Sequence, residues 1–223
     1  MNNTIVLLYK GINVFINKEI ILKDVNLTLK SGEVIYLIGD IGSGKTTFLK
    51  SLYAEAKIEG EIATVCNFNL LKIKKKEIPY LRRNIGIVFQ DFQLLTDRSV
   101  YDNLKFVLRV TKFPKKQIDA RIEEVLQKVN LLEKKYKMPW ELSGGEQQSI
   151  VIARAILNTP KLILADEPTG NLDPNSSYNV INLLFELSNN NCAVIIATHN
   201  YSLVEKFPSK VYVLQNKQII ELN

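Results

Sequence analysis

The segment Gly39-Asp40-Ile41-Gly42-Ser43-Gly44-Lys45-Thr46 constrains this chain more than any other feature. Glycines, a lysine and a hydroxyl residue in the spacing GxxxxGK[ST] suit a loop whose backbone N–H groups wrap phosphates and which leads into the positive end of a helix. The flanks agree. Val34 to Ile38 is an apolar run after the turn signal Ser31-Gly32, and Lys45 to Ala54 has apolar residues at helical spacing, giving strand, loop and helix. An α/β fold follows. In this pattern Gly39, Asp40, Ile41, Gly42, Ser43, Gly44 and Thr47 supply the cradle, Lys45 reaches the β and γ oxygens, and the Thr46 hydroxyl takes a Mg2+ position.

Elsewhere the pattern divides into three stretches. Short strands are predicted at Thr4–Leu8, Val14–Ile16, Ile20–Leu22 and Val25–Leu29, ahead of Val34–Ile38. After a strand at Ile85–Phe89, alternation disappears, and Ile118, Ile122, Val125, Leu126 and Val129 recur at helical spacing, which predicts a helical lobe over about 91–140. From 141 the α/β pattern returns: a helix over Ser143–Leu157, a buried strand at Leu162–Ala165, a helix at Ser176–Leu187, a strand at Ala193–Thr198, and a closing pair at Lys210–Leu214 and Gln218–Leu222. One domain of 223 residues is expected, with about 1–90 and 141–223 as the core and β subdomain. The longest apolar runs, Ile5–Tyr9 and Ala193–Ala197, fall far short of the roughly 18 residues a membrane span needs. The N-terminus has no basic segment and too short an apolar one for a secretory leader, so a cytosolic location is expected. Cys66 and Cys192 are read as reduced, packed thiols.

Two more segments carry chemistry. Leu162 to Ala165 ends in Asp166-Glu167, a carboxylate suited to Mg2+ followed by one suited to general-base work on water. Leu142-Ser143-Gly144-Gly145-Glu146-Gln147 places a hydroxyl and free N–H groups at a helix start, a second device for an anion.

This last string resembles the signature of ATP-binding-cassette ATPases, and the remaining family elements follow in order. The resemblance covers about residues 4 to 222 and implies a phosphate-loop α/β fold with a mixed sheet core, an N-terminal antiparallel β subdomain and a helical lobe. It implies ATP and Mg2+, with Gln90 as the glutamine loop at the metal, Asp173 in Asn171-Leu172-Asp173 as the D-loop, His199 as the switch histidine and Phe15 as the aromatic under adenine. Glu167, His199, Lys45 and Gln90 become the catalytic set; Thr46, Gln90 and Asp166 the metal set; Ser143, Gly144 and Gly145 nucleotide contacts. Such proteins dimerise head to tail when ATP is bound, each nucleotide lying between one subunit's phosphate loop and the other's signature.

Within the family, Glu77 to Arg83, Val88 to Leu95, Asp97 to Asn103 and Ala165 to Asp173 resemble the bacterial cell-division branch, whose wider group includes lipoprotein-release and macrolide-export ATPases. That branch works with an integral membrane partner of FtsX type in controlling cell-wall hydrolases. It lies peripherally on the cytoplasmic face of the inner membrane. Two positions depart from the family pattern: Ile41 replaces a small or polar residue and Ser149 an arginine. The formal charge of +6 also admits a DNA-associated ATPase of the same family. Those proteins carry long coiled coils or zinc modules, and no heptad run or Cys cluster occurs here, so nucleic acid is not an expected partner. The charge is regional: residues 72–137 hold 17 basic and 8 acidic side chains, or +9, and the remainder 12 − 15 = −3. In this family that region faces the membrane subunit, where the anionic inner leaflet attracts basic side chains.

Overall fold

The computed structural model describes residues 4–222; the first three residues, which entered the leader argument, lie outside it. The chain opens with β1 (Ile5–Ile16) and β2 (Glu19–Lys30), each 12 residues long. The four short strands expected there are two long ones. Register shifts at Tyr9/Ile12 and Ile12/Val14 break the alternation while pairing continues, and the hairpin turns through Asn17 and Lys18, both in the left-handed region. β4 (Lys57–Glu59), β5 (Ile62–Val65) and β6 (Phe68–Asn69) complete an antiparallel sheet, with β4 and β5 sharing the far edge of β1.

The second sheet runs β11-β10-β3-β9-β8-β7. β3 (Val34–Ile38), β7 (Ile85–Val88), β8 (Leu162–Asp166), β9 (Ala193–Thr198) and β10 (Lys210–Gln215) are parallel, and β11 (Gln218–Leu222) closes the edge antiparallel. Period-two alternation divides β3 between two cores. Ile35 and Leu37 pack with the first sheet and with Phe48, Leu49 and Leu52 of α1 (Lys45–Leu52). Val34, Tyr36 and Ile38 face a helical layer: α3 (Val100–Val110), α4 (Ile118–Lys128), α5 (Gly144–Ala155) and α6 (Pro174–Ser188). Two short helices, α2 (Ile78–Arg83) and α7 (Tyr201–Lys206), precede β7 and β10. α1 stops before the expected Ala54, which turns into the left-handed region at φ 57°.

Side chains brace the helical layer internally. Ser99 caps α3, accepting from Asp102 N–H, and nearly buried Asn103 donates to the carbonyls of Leu95, Arg98 and Ser99 while accepting from Leu95 N–H. Arg121 of α4 donates to the carbonyls of Ile156 and Leu157, the C-terminal end of α5, where a cation also suits the helix dipole. Both cysteines are buried and free.

Candidate nucleotide site

The parallel strands β3, β7, β8 and β9 deliver Lys45, Thr46, Gln90, Asp166, Glu167 and His199 at their C-terminal ends, where four loops converge. Gly39 has φ 155°, and a Cβ there would stand 2.7 Å from the Leu214 carbonyl and 2.8 Å from Ser43 Oγ, so the loop passes only as glycine. The first helical bond of α1 runs from Phe48 N–H to Gly44 O at 2.8 Å, leaving the preceding four N–H groups without helical acceptors. Ser43 Oγ is buried with no partner. Open donors and an orphaned hydroxyl in a glycine-only cradle fit a polyphosphate. Ile41 projects from the loop, 92% exposed, and fills none of this space.

Lys45 Nζ donates to the Gly39 carbonyl at 2.6 Å and lies 3.5 Å from Glu167 Oε1. Thr46 Oγ1 donates to Asp166 Oδ2 at 2.7 Å. Burial raises the Asp166 carboxyl above its ordinary value; the Thr46 hydrogen bond opposes this, and the neighbouring Glu167 charge adds to it. Glu167, just past β8, takes a left-handed backbone (φ 47°), held by Glu167 N–H to Ala197 O and Gly170 N–H to Glu167 O. Its Oε2 is 3.0 Å from His199 Nδ1 and accepts from His199 N–H at 3.3 Å. Thus Lys45 and His199 meet the two oxygens of one carboxylate.

Gln90 lines, with Thr46, Arg82, Asp166 and Asn171, a cleft of about 660 Å³ beside the loop. Hydroxyl, carboxylate and amide oxygens around one opening fit a Mg2+ that takes its other ligands from phosphate and water. Among the described residues no cluster of three His, Cys, Asp or Glu could hold a metal by itself. Phe15 lies half-exposed on β1, paired with Ile20 of β2, whose neighbour Ile21 abuts Gly44; Lys57 Nζ sits 5.4 Å from the Phe15 ring centroid.

Ser143, Gly144, Gly145 and Asp173 gather at a second location. Ser143 caps α5 reciprocally with Glu146, and Asp173 caps α6 by accepting from the N–H groups of Asn175 and Ser176; the Ser176 hydroxyl first, and these N–H groups after it, hold its carboxyl below the usual range. Ser149 turns back on its own helix, its hydroxyl donating to Gly145 O. Among the described residues no hydrogen bond or ion pair joins this group to the phosphate loop. Two residues beside the site gave no sequence signal: Gln148 and Arg154 of α5 donate to the carbonyls of Phe89, Phe92 and Gln93 around Gln90.

A phosphate loop whose lysine and threonine meet the two acids of an Asp-Glu pair, with a strand-end histidine on the far oxygen of the Glu and a separate Ser-Gly-Gly helix beside the sheet, defines a nucleoside triphosphatase of the cassette class. Residues 22–170 match the family described as ABC transporter. Over 199 residues the chain is 44% identical to the cell division ATP-binding protein FtsE of Streptococcus pneumoniae serotype 2, covering 89% of this chain and 86% of that one. Among solved structures, cbiO1 of Clostridium perfringens, part of the ABC transporter complex cbiONQ, superposes with TM-score 0.88 at 29% identity, covering 97% of this chain and 87% of that one. The ATP-binding cassette MJ0796, a post-hydrolysis dimer bound to ADP and Pi, gives 0.82 at 29% identity, covering 97% of both. The chain belongs to the ABC transporter family and is an ATPase.

Proposed function

We propose that this chain is the ATPase of an FtsE-like complex acting in cell division, and that Glu167 is its general base. The observation carrying this is the shared contact of Lys45 and His199 with the Glu167 carboxylate. Lys45 and the open N–H groups bind the β and γ phosphates, and Lys45 leaves Glu167 for them. Water attacks the γ phosphorus, its proton passes to Glu167, and the bond to the ADP oxygen breaks. His199 orients the carboxylate from its other side. Thr46, Asp166 and Gln90 would hold Mg2+, which when bound neutralises phosphate charge. Phe15 stacks on the base.

Ser143, Gly144, Gly145 and Asp173 stand apart from their own phosphate loop, and a second copy brings them to it. The dimeric MJ0796 structure, with ADP and Pi, supports that arrangement. A closed C2 dimer then holds two equivalent sites, opened by hydrolysis. Similarity to the cell division ATP-binding protein FtsE of Streptococcus pneumoniae supports the role in cell division; the proposed complex adds an integral membrane partner of FtsX type and, through it, peripheral placement on the cytoplasmic membrane face and control of cell-wall hydrolases. Among the described residues no helix is long and apolar enough to cross a membrane. The basic surface of residues 72–137 is the docking side, with about 91–140 as its helical lobe. The test is to measure ATP binding, turnover and mass in Glu167→Gln: retained binding, lost turnover and trapped dimers support the reading, and near-parent turnover removes Glu167 as base.

A further inference from the structure

The segment Phe89–Gln93, which carries Gln90, is held by side chains that donate to its backbone carbonyls and by the packing of Phe92 against the core. Gln148 Nε2 donates to Phe89 O at 3.2 Å, Asn171 Nδ2 to Gln90 O at 3.3 Å, and Arg154 to Phe92 O at 2.9 Å and Gln93 O at 2.5 Å. Phe92 and Gln93 both occupy the left-handed region, at φ 56° and 49°. For a bulky residue this conformation persists only where the surroundings impose it. Gln148 is completely buried, and its Oε1 has no partner. A buried amide that leaves one end unsatisfied is retained against a desolvation penalty.

Gln148 and Arg154 belong to α5, the helix capped by Ser143. The Phe92 ring lies within 3.9 Å of the Cβ position of Gly144, and the Gln90 amide within 2.8 Å of that of Gly170. The Phe92 ring thus lies beside the signature glycine, and α5 grips both ends of the loop through Gln148 and Arg154.

We propose that Gln148 and Arg154 are positioning residues that register the Gln90 loop on the signature helix. Engagement of Ser143–Gly145 by one nucleotide and placement of Gln90 at the metal of the other site are then one movement. This rests on the reading of Gln90 and the signature as nucleotide contacts. Arg154 is suited to the task because one planar guanidinium spans two successive carbonyls, a geometry lysine lacks.

The test compares steady-state ATPase kinetics of the full chain in Gln148→Leu, Arg154→Lys, Gln90→Ala and the double variant Gln90→Ala/Gln148→Leu, with ATP and Mg2+ varied separately. The clamp predicts that Gln148→Leu and Arg154→Lys each lower kcat about tenfold, equivalent to ~1.4 kcal/mol. It predicts KM for ATP within about twofold, a raised Mg2+ half-saturation, and a double variant no slower than Gln90→Ala, because coupled residues are not additive. Additive losses, or parent kcat and Mg2+ dependence in Arg154→Lys, overturn it; a purely structural role would lower thermal stability without moving the Mg2+ dependence. Arg154→Lys keeps the test decisive should Gln148→Leu fold poorly. Parent turnover in Gln90→Ala would instead refute the role of Gln90, and the clamp with it, whereas a slow Gln90→Ala beside a normal Gln148→Leu refutes the clamp alone.

Discussion

Glu167 Oε2 and His199 Nδ1 lie 3.0 Å apart, while Glu167 Oε1 faces Lys45 Nζ at 3.5 Å, so one carboxylate links the phosphate loop to the end of β9. Replacing that carboxylate with an amide of equal size keeps the shape and removes the base. Glu167→Gln is therefore expected to bind ATP with near-parent affinity while kcat falls by about 10²–10⁴, the range general-base catalysis supplies. Equilibrium binding, steady-state turnover and light scattering in ATP check this; a kcat within tenfold of the parent refutes it.

His199 is 56% exposed, in contrast to the nearly enclosed Lys45 and Glu167. Truncation to alanine removes an orienting contact and little packing. His199→Ala is expected to keep the parent melting temperature within about 2 °C while kcat falls at least about tenfold, since exposed substitutions generally leave stability within ±0.5 kcal/mol. A large loss of melting temperature would assign His199 to the fold rather than to orientation.

The site was legible in the sequence because its chemistry fixes residue type and spacing: Gly39 to Thr46, Asp166-Glu167 and Leu142 to Gln147 remain local wherever the chain goes. Strand positions were legible where burial on both faces makes a continuous apolar run, as at β8 and β9. Other elements left no pattern. Lys57-Ile58-Glu59 is mostly exposed and is a strand because Asn13, Val14 and Phe15 pair with it. The 12-residue span of β1 was hidden by its register shifts, and α2 and α7 are too short for periodicity. Least legible were Gln148 and Arg154, whose role depends on carbonyls 59 and 61–62 residues away in the chain.

Gly145 packs α5 against the start of α6. A Cβ there would stand 2.5 Å from Ser176 Oγ and 2.8 Å from Ser176 Cβ, too close to be relieved by side-chain rotation alone. Gly145→Ala is expected to destabilise the isolated chain by about 1–3 kcal/mol, as overpacking does. Gly145→Ala/Ser176→Gly should recover most of that loss in denaturant unfolding. Failure of the rescue would show that the penalty arises elsewhere than at this contact.

Asp166 sets the pH dependence. Burial first, with Glu167 repulsion adding to it, raises its folded-state pKa, so the folded chain retains a proton that the unfolded chain releases near pH ~3.9. Where the folded state binds more protons, stability falls as pH rises; the contribution is present below the unfolded pKa and lost on passing through the folded one. Asp166→Asn keeps an oxygen for the Thr46 hydroxyl and removes the buried charge. Without nucleotide, this variant is expected to melt about 2–4 °C above the parent at pH 7–8, with the difference narrowing toward acid pH. Mg2+ with ATP should narrow it at pH 7–8 as well, because a cation stabilises the ionised carboxylate and not the amide. Thermal scans at several pH values decide the matter: a variant melting below the parent at pH 8 would mean that the Asp166 charge stabilises the fold.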